Sequence, residues 1–141
     1  MCIRDRNKSS DHFNTKLYTG NATDDTAITG IGSQPDWLWG KNRTDAGTNH
    51  FLIDAVRGVT KELNTNNTSA EGTDATLIKS FDTDGFTLGD GSLNQSSKNF
   101  VTWNWKANGQ GSSNTDGSIN TTYTSVNTTA GFSISQYTGT G

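Results

Sequence analysis

Cysteine occurs once in the 141 residues, at Cys2, and proline once, at Pro35. Glutamate is confined to Glu62 and Glu71, histidine to His12 and His50, and apolar runs reach only three residues, as at Phe51-Leu52-Ile53. Each shortage excludes something. One cysteine cannot close an internal disulfide or build a thiolate zinc cluster. The short apolar runs fall far below the roughly 20 residues of a spanning helix, so no membrane insertion is expected. Eleven Lys and Arg against 14 Asp and Glu leave a net charge of −3. With no basic stripe to neutralise phosphates, nucleic acid is not an expected partner either. Only 29% of the residues are hydrophobic, which at this length allows one domain with a modest core.

What is abundant is small and polar: 23 Thr, 15 Asn, 14 Ser and 16 Gly. Asn, Ser and Gly weaken helices, whereas Thr fits a pleated surface. Thirteen aromatic residues in short, interrupted runs argue for packing rather than disorder. The expected fold is all-β: an antiparallel sandwich of jelly-roll or concanavalin-like type with few or no helices. Strands are expected at Phe13–Tyr18, Thr26–Thr29, Trp37–Lys41, Phe51–Asp54, Leu77–Phe81, Phe86–Leu88, Phe100–Lys106, Ser118–Val126 and Phe132–Tyr137. Thr60–Leu63 and Asp74–Lys79 are the two stretches where a helical turn fits. Asp84-Gly85 between apolar runs reads as a hairpin turn, because Gly supplies the positive φ that tight turns need.

The ends have their own signatures. Met1-Cys2-Ile3-Arg4-Asp5-Arg6 resembles the translation of a sequencing-adapter end, and without those six residues the chain has no cysteine. Phe13 to Gly20 and Phe132 to Gly139 share the frame F-x-x-x-x-Y-T-G at an offset of 119 residues. That repetition implies a β-sandwich unit over residues 7–130 and, at 131–141, the first strand of a following repeat.

Trp37-Leu38-Trp39 and Trp103-Asn104-Trp105 place two rings each at a spacing of two, hence on one face of a strand. Val101 joins the second pair, while Thr102, Asn104 and Lys106 face the other way. A chain this poor in Leu, Ile and Val is expected to turn its tryptophans inward. The functional alternative is a platform for sugar rings, with Trp37, Trp39, Trp103, Asn104 and Trp105 as the candidate ligand-binding residues.

Catalytic and metal-binding residues are scarce. His50 lies four residues before Asp54 and is expected at a strand edge rather than in a Ser-His-Asp site. Asp82-Thr83-Asp84-Gly85 departs from the calcium-loop template, since its glycine comes fourth and Leu93 stands where the last carboxylate should be. Hairpin chemistry accounts for those residues without a metal. Asp54 and Arg57 are expected to pair. No cofactor, metal or catalytic residue is expected, and the sequons at Asn21, Asn42, Asn66, Asn120 and Asn127 follow from composition.

Five blocks in order carry a resemblance. Tyr18-Thr19-Gly20-Asn21, Gln34 through Arg43, Asp54-Ala55-Val56-Arg57-Gly58, Phe81 through Gly89, and Trp103 through Ala107 resemble a repeat domain of bacteriophage structural proteins, notably marine ones. The resemblance covers about Phe13 to Tyr137. Gly40 stands where that domain has a large aliphatic residue, which implies looser packing there. It implies a sandwich similar to concanavalin-like lectin domains, in a tail fibre or related appendage of the virion. The implied partners are other virion chains, copies of itself in a fibre, and host-surface carbohydrate. The implied role is non-enzymatic, with a polysaccharide depolymerase as the alternative.

Overall fold

The computed structural model describes residues 8–141, so the adapter-like hexapeptide and Cys2 lie outside the described residues. After a short 3-10 turn at Ser9–Asp11, every regular element described is a strand. In chain order these are β1 (Phe13–Thr19), β2 (Thr26–Thr29), β3 (Trp37–Asn42), β4 (His50–Asp54), β5 (Lys61–Asn64), β6 (Gly72–Thr73), β7 (Ile78–Asp82), β8 (Gly85–Leu88), β9 (Asn99–Trp105), β10 (Ser112–Asn114), β11 (Thr121–Asn127) and β12 (Phe132–Tyr137). Three sheets result, with orders β1-β9-β3-β4-β5-β6, β2-β8-β7 and β10-β11-β12. All strand pairs are antiparallel, as the all-β sandwich expectation requires.

The sandwich core lies between the six-stranded sheet and β2-β8-β7. Leu38, Phe51, Ile53 and Phe100 come from the first, Ile28, Ile78, Phe86 and Leu88 from the second, and Ile31, Leu77 and Leu93 close the sides. Each such side chain contributes about 1.5–3 kcal/mol by leaving water. So few large apolar residues leave room for polar ones, and those in the core are bonded through most of their polar atoms, Asn104 Oδ1 excepted. Asn94 is fully buried; its amide donates to the Thr23 and Gly89 carbonyls, and its Oδ1 accepts from Asn21 N–H. Asn42 accepts from the Thr44 and Asp45 amides. Its burial means that the Asn42 sequon offers no accessible amide in the fold.

Two expectations are corrected here. Lys61–Asn64 is a strand rather than a helical turn, and Ala75–Leu77 is a plain turn before β7. Gly40 does not loosen the packing, because a Cβ there would lie 2.9 Å from Leu93 Cδ2. The leucine already fills the space that an aliphatic side chain would take.

The β7–β8 hairpin turns on Thr83 and Asp84. Asp84 accepts hydrogen bonds from the Gly30 and Gly32 amides, at φ +79° and +86°, and these hold its carboxyl below the usual carboxylate range. Asp82 accepts from the Ser80 and Thr87 hydroxyls. The acidic turn therefore spends its oxygens within the protein, and among the described residues no His, Cys, Asp and Glu cluster suits a metal ion.

Tyr18, on β1, stacks on Phe100 and donates its hydroxyl to the Leu93 carbonyl at 2.8 Å. Burial pushes the phenol above its ordinary value. An unfolded tyrosine ionises near pH 10, so above that pH the unfolded chain has lost a proton that the folded chain keeps. The stability tied to Tyr18 is whole below about pH 10 and is lost as the pH rises further. Urea melts at about pH 9 and about pH 11 are expected to show this fall, and Tyr18→Phe to remove Tyr18's share of it. At neutral pH the same substitution should cost roughly 1 kcal/mol for the lost hydrogen bond.

Candidate functional site

On β3, Leu38, Gly40 and Asn42 are buried, whereas Trp37, Trp39 and Lys41 are half-buried. On β9, Phe100, Thr102 and Asn104 are buried, whereas Trp103 and Trp105 are half-buried. The four tryptophans therefore stand on the outer face of the six-stranded sheet, away from the sandwich core. This corrects the inward expectation, and Asn104 points the opposite way from its neighbouring rings. Only 2% of Asn104 is exposed, and its amide donates to the Asn14 carbonyl and to Thr102. It is a core residue with no access to a ligand on the aromatic face.

Antiparallel register assembles the face from distant parts of the chain. One row runs Phe13, Trp105, Trp37, Asp54; the next Thr15, Trp103, Trp39, Leu52, Leu63; the third Leu17, Val101, Lys41, His50. Trp37 meets Trp105 edge-on with centroids 4.5 Å apart, and Trp39 lies 4.8 Å from Trp103 with the planes tilted by 33°. Phe13 sits 4.5 Å from Trp105 on its other side.

The two ends of this face differ. Over the Trp37–Trp105 end lies β12, whose Phe132, Ile134 and Gln136 are half-buried while Ser133, Ser135 and Tyr137 are exposed. Phe132 stacks on Trp105 at 6.2 Å, and Ile134 to Tyr137 share a depression with Trp37, Leu52 and Leu63. Trp37 and Trp105 thus serve as the floor beneath the small sheet. The Trp39–Trp103 end is not covered in this way. There Trp37, Trp39, His50, Leu52, Thr65 and Asn66 line an open depression of about 570 Å³.

Polar groups rim that depression. Trp39 Nε1 donates to Thr65 Oγ1 at 3.1 Å, which fixes the indole and leaves the hydroxyl proton unused by that bond. Asn66 Oδ1 accepts from the His50 amide. Lys41 Nζ lies 2.6 Å from His50 Nε2, and since ammonium can only donate, that nitrogen is the acceptor of a neutral ring. Burial, and then the Lys41 charge, pushes the His50 imidazole below its ordinary value. Its partner and position at the start of β4 leave it apart from Asp54, whose carboxylate is held by Arg57 at 2.7 Å.

A family model for a domain of unknown function, DUF7483, matches residues 8–141. The chain belongs to the DUF7483 family. No curated protein and no solved structure matches it. Within this DUF7483 domain, the structure brings together four of the five residues singled out from sequence: Trp37, Trp39, Trp103 and Trp105. It adds Lys41, His50, Leu52, Thr65 and Asn66. Lys41 was reachable by alternation, since it continues the Trp37, Trp39 spacing of two. Thr65 and Asn66 were not, because a polar run from Asn64 to Ser69 reads as a turn wherever it docks.

The DUF7483 domain also holds an acidic residue outside this face. Glu62 on β5 has its carboxyl pushed up, first by burial and then by the charge of Asp74, and its buried Oε2 has no hydrogen-bond partner. It lies on the opposite side of β5 from Leu63 and lines none of the depressions described above.

Proposed function

We propose that the domain is a non-enzymatic module of a virion appendage and contacts host-surface glycans through Trp39 and Trp103. The observation that supports this reading is a pair of half-buried indoles, 4.8 Å apart, on a sheet face left open at that end. A sugar ring laid on the pair would bury its C–H face against indole, at about 25 cal/mol per Å² of apolar area. Thr65 and Asn66 stand at the rim to bond its hydroxyls. Such a contact is weak singly, and an appendage carrying many copies multiplies it by valency. A depolymerase would draw on a close pair among Asp54, Asp82, Asp84 and Asp90, and the first three are engaged by protein donors, which favours binding over hydrolysis.

Binding of fluorescently labelled host polysaccharide, followed with melting temperature, tests the assignment. Trp39→Ala and Trp103→Ala are expected to weaken binding by roughly tenfold or more, about 1.4 kcal/mol, with a small change in melting temperature. Trp37→Ala and Trp105→Ala should instead destabilise the fold, because β12 packs on them. Unchanged affinity in the first two variants overturns the proposal. Unfolding of all four makes the rings packing groups and the domain a spacer.

A further inference from the structure

We propose that the glycan bound at this face is acidic, with a sugar carboxylate seated at Lys41 beside the Trp39 ring; this rests on the glycan-binding reading above. The chain as a whole is acidic, with net charge −3, yet its aromatic face is not. Among the described residues the ion pairs are Arg57 with Asp54 and Glu71, Lys79 with Asp24, and Lys98 with Asp45. Lys41 belongs to none of them. The one carboxylate in the three cross-strand rows is Asp54, which Arg57 neutralises at the far end.

The position of Lys41 is built rather than incidental. β3 presents Trp37, Trp39 and Lys41 on one face, so the ammonium follows the indoles along a single strand. Its partner His50 stands directly across on β4, with its ring 6.3 Å from Trp39. The imidazole accepts a hydrogen bond from one of the three ammonium N–H groups and so orients the group without cancelling its charge. Two donors remain for a ligand. Arg43, exposed and two residues beyond Lys41, donates its backbone amide to the Asn99 carbonyl and extends the β3–β9 ladder in the same direction. A sugar stacked on Trp39 and Trp103 would thus carry its substituents toward cationic groups that have no carboxylate partner among the described residues. A neutral sugar offers that ammonium only hydroxyl acceptors, whereas a uronate adds an opposite charge to the hydrogen bond.

An array of acidic and neutral bacterial surface polysaccharides tests this, with each acidic one present also in a carboxyl-reduced form. The two forms share a backbone and differ only in carrying a carboxylate or a neutral hydroxymethyl group at that carbon. The native acid is expected to bind about fivefold or more tighter than its reduced form at low salt. High salt should narrow the ratio, and Lys41→Gln should bring it close to one. Equal binding of both forms, abolished by Trp39→Ala, overturns the acidic ligand and leaves the glycan-binding function standing. Binding to no member of the array overturns both.

Discussion

Replacing Arg57 by alanine is expected to cost the domain about 3–5 kcal/mol, a large share of the stability of a domain this size. The reason lies in the partner it abandons. Asp54 ends β4 with only 3% of its surface exposed. The guanidinium meets Asp54 Oδ2 through Nε at 2.8 Å and through a terminal nitrogen at 2.7 Å. It also donates to the Leu52 carbonyl and reaches Glu71, so one side chain ties the end of β4 to the segment entering β6. Without it, Asp54 keeps only the Arg57 backbone amide at 2.9 Å among these donors, and a nearly bare carboxylate stays buried. Removing both charges together is a different matter. Asp54→Leu combined with Arg57→Met should recover most of the loss, because a well-packed apolar pair escapes the desolvation that the ion pair must overcome. Urea denaturation of the single and double variants checks this, with the midpoint moving and the slope held. A loss below about 1 kcal/mol for Arg57→Ala would mean that the pair behaves as a solvated surface contact.

That pair was legible in the sequence, since Asp54 and Arg57 stand three apart where the chain leaves a strand. So were most of the strands, because Thr and aromatic residues alternate between Gly, Asn and Asp turns. Three strands escaped for a physical reason. Lys61–Asn64 has a single apolar residue, Gly72–Thr73 is two residues long, and Ser112–Asn114 is exposed throughout. Their existence depends on a neighbouring strand rather than on their own side chains. The harder question was which face of β3 and β9 turns inward. A spacing of two separates Trp37 and Trp39 from Leu38, and Trp103 and Trp105 from Phe100, but it names neither set as core. The answer comes from the facing sheet β2-β8-β7, which supplies Ile28, Phe86 and Leu88 against Leu38 and Phe100. Three phenylalanines with a few aliphatics, completed by buried asparagines, suffice to fill the interior, and that releases the tryptophans for the outer face. Composition suggested that the rings were needed inside because it could not show buried Asn42, Asn94 and Asn104 taking up the remaining core positions.

The repeated frame yields the second large effect. Gly20→Ala is expected to cost about 3 kcal/mol, whereas Gly139→Ala, at the matching place of the second copy, should stay within about 0.5 kcal/mol of the parent. Gly20 closes β1 against the segment before β9: its amide donates to the Lys98 carbonyl, and its carbonyl accepts from the Ser97 amide. A Cβ there would collide with the Gln95 carbonyl oxygen and lie 2.8 Å from the Asn94 carbonyl carbon. Both are backbone atoms and cannot swing aside as a side chain would, so the strand end itself must move. Tyr18, two residues earlier, stands or falls with that approach, because its hydroxyl reaches the Leu93 carbonyl in the same segment. In the second copy β12 pairs with β11, Tyr137 is 61% exposed, and nothing lies within 4 Å of a Cβ at Gly139. The two frames share their letters but not their surroundings. Urea melts of the two variants side by side measure that difference directly. A comparable loss in both would mean that Tyr137 and Gly139 carry packing of the kind that Tyr18 and Gly20 carry, and would support the frame as the mark of a repeated unit.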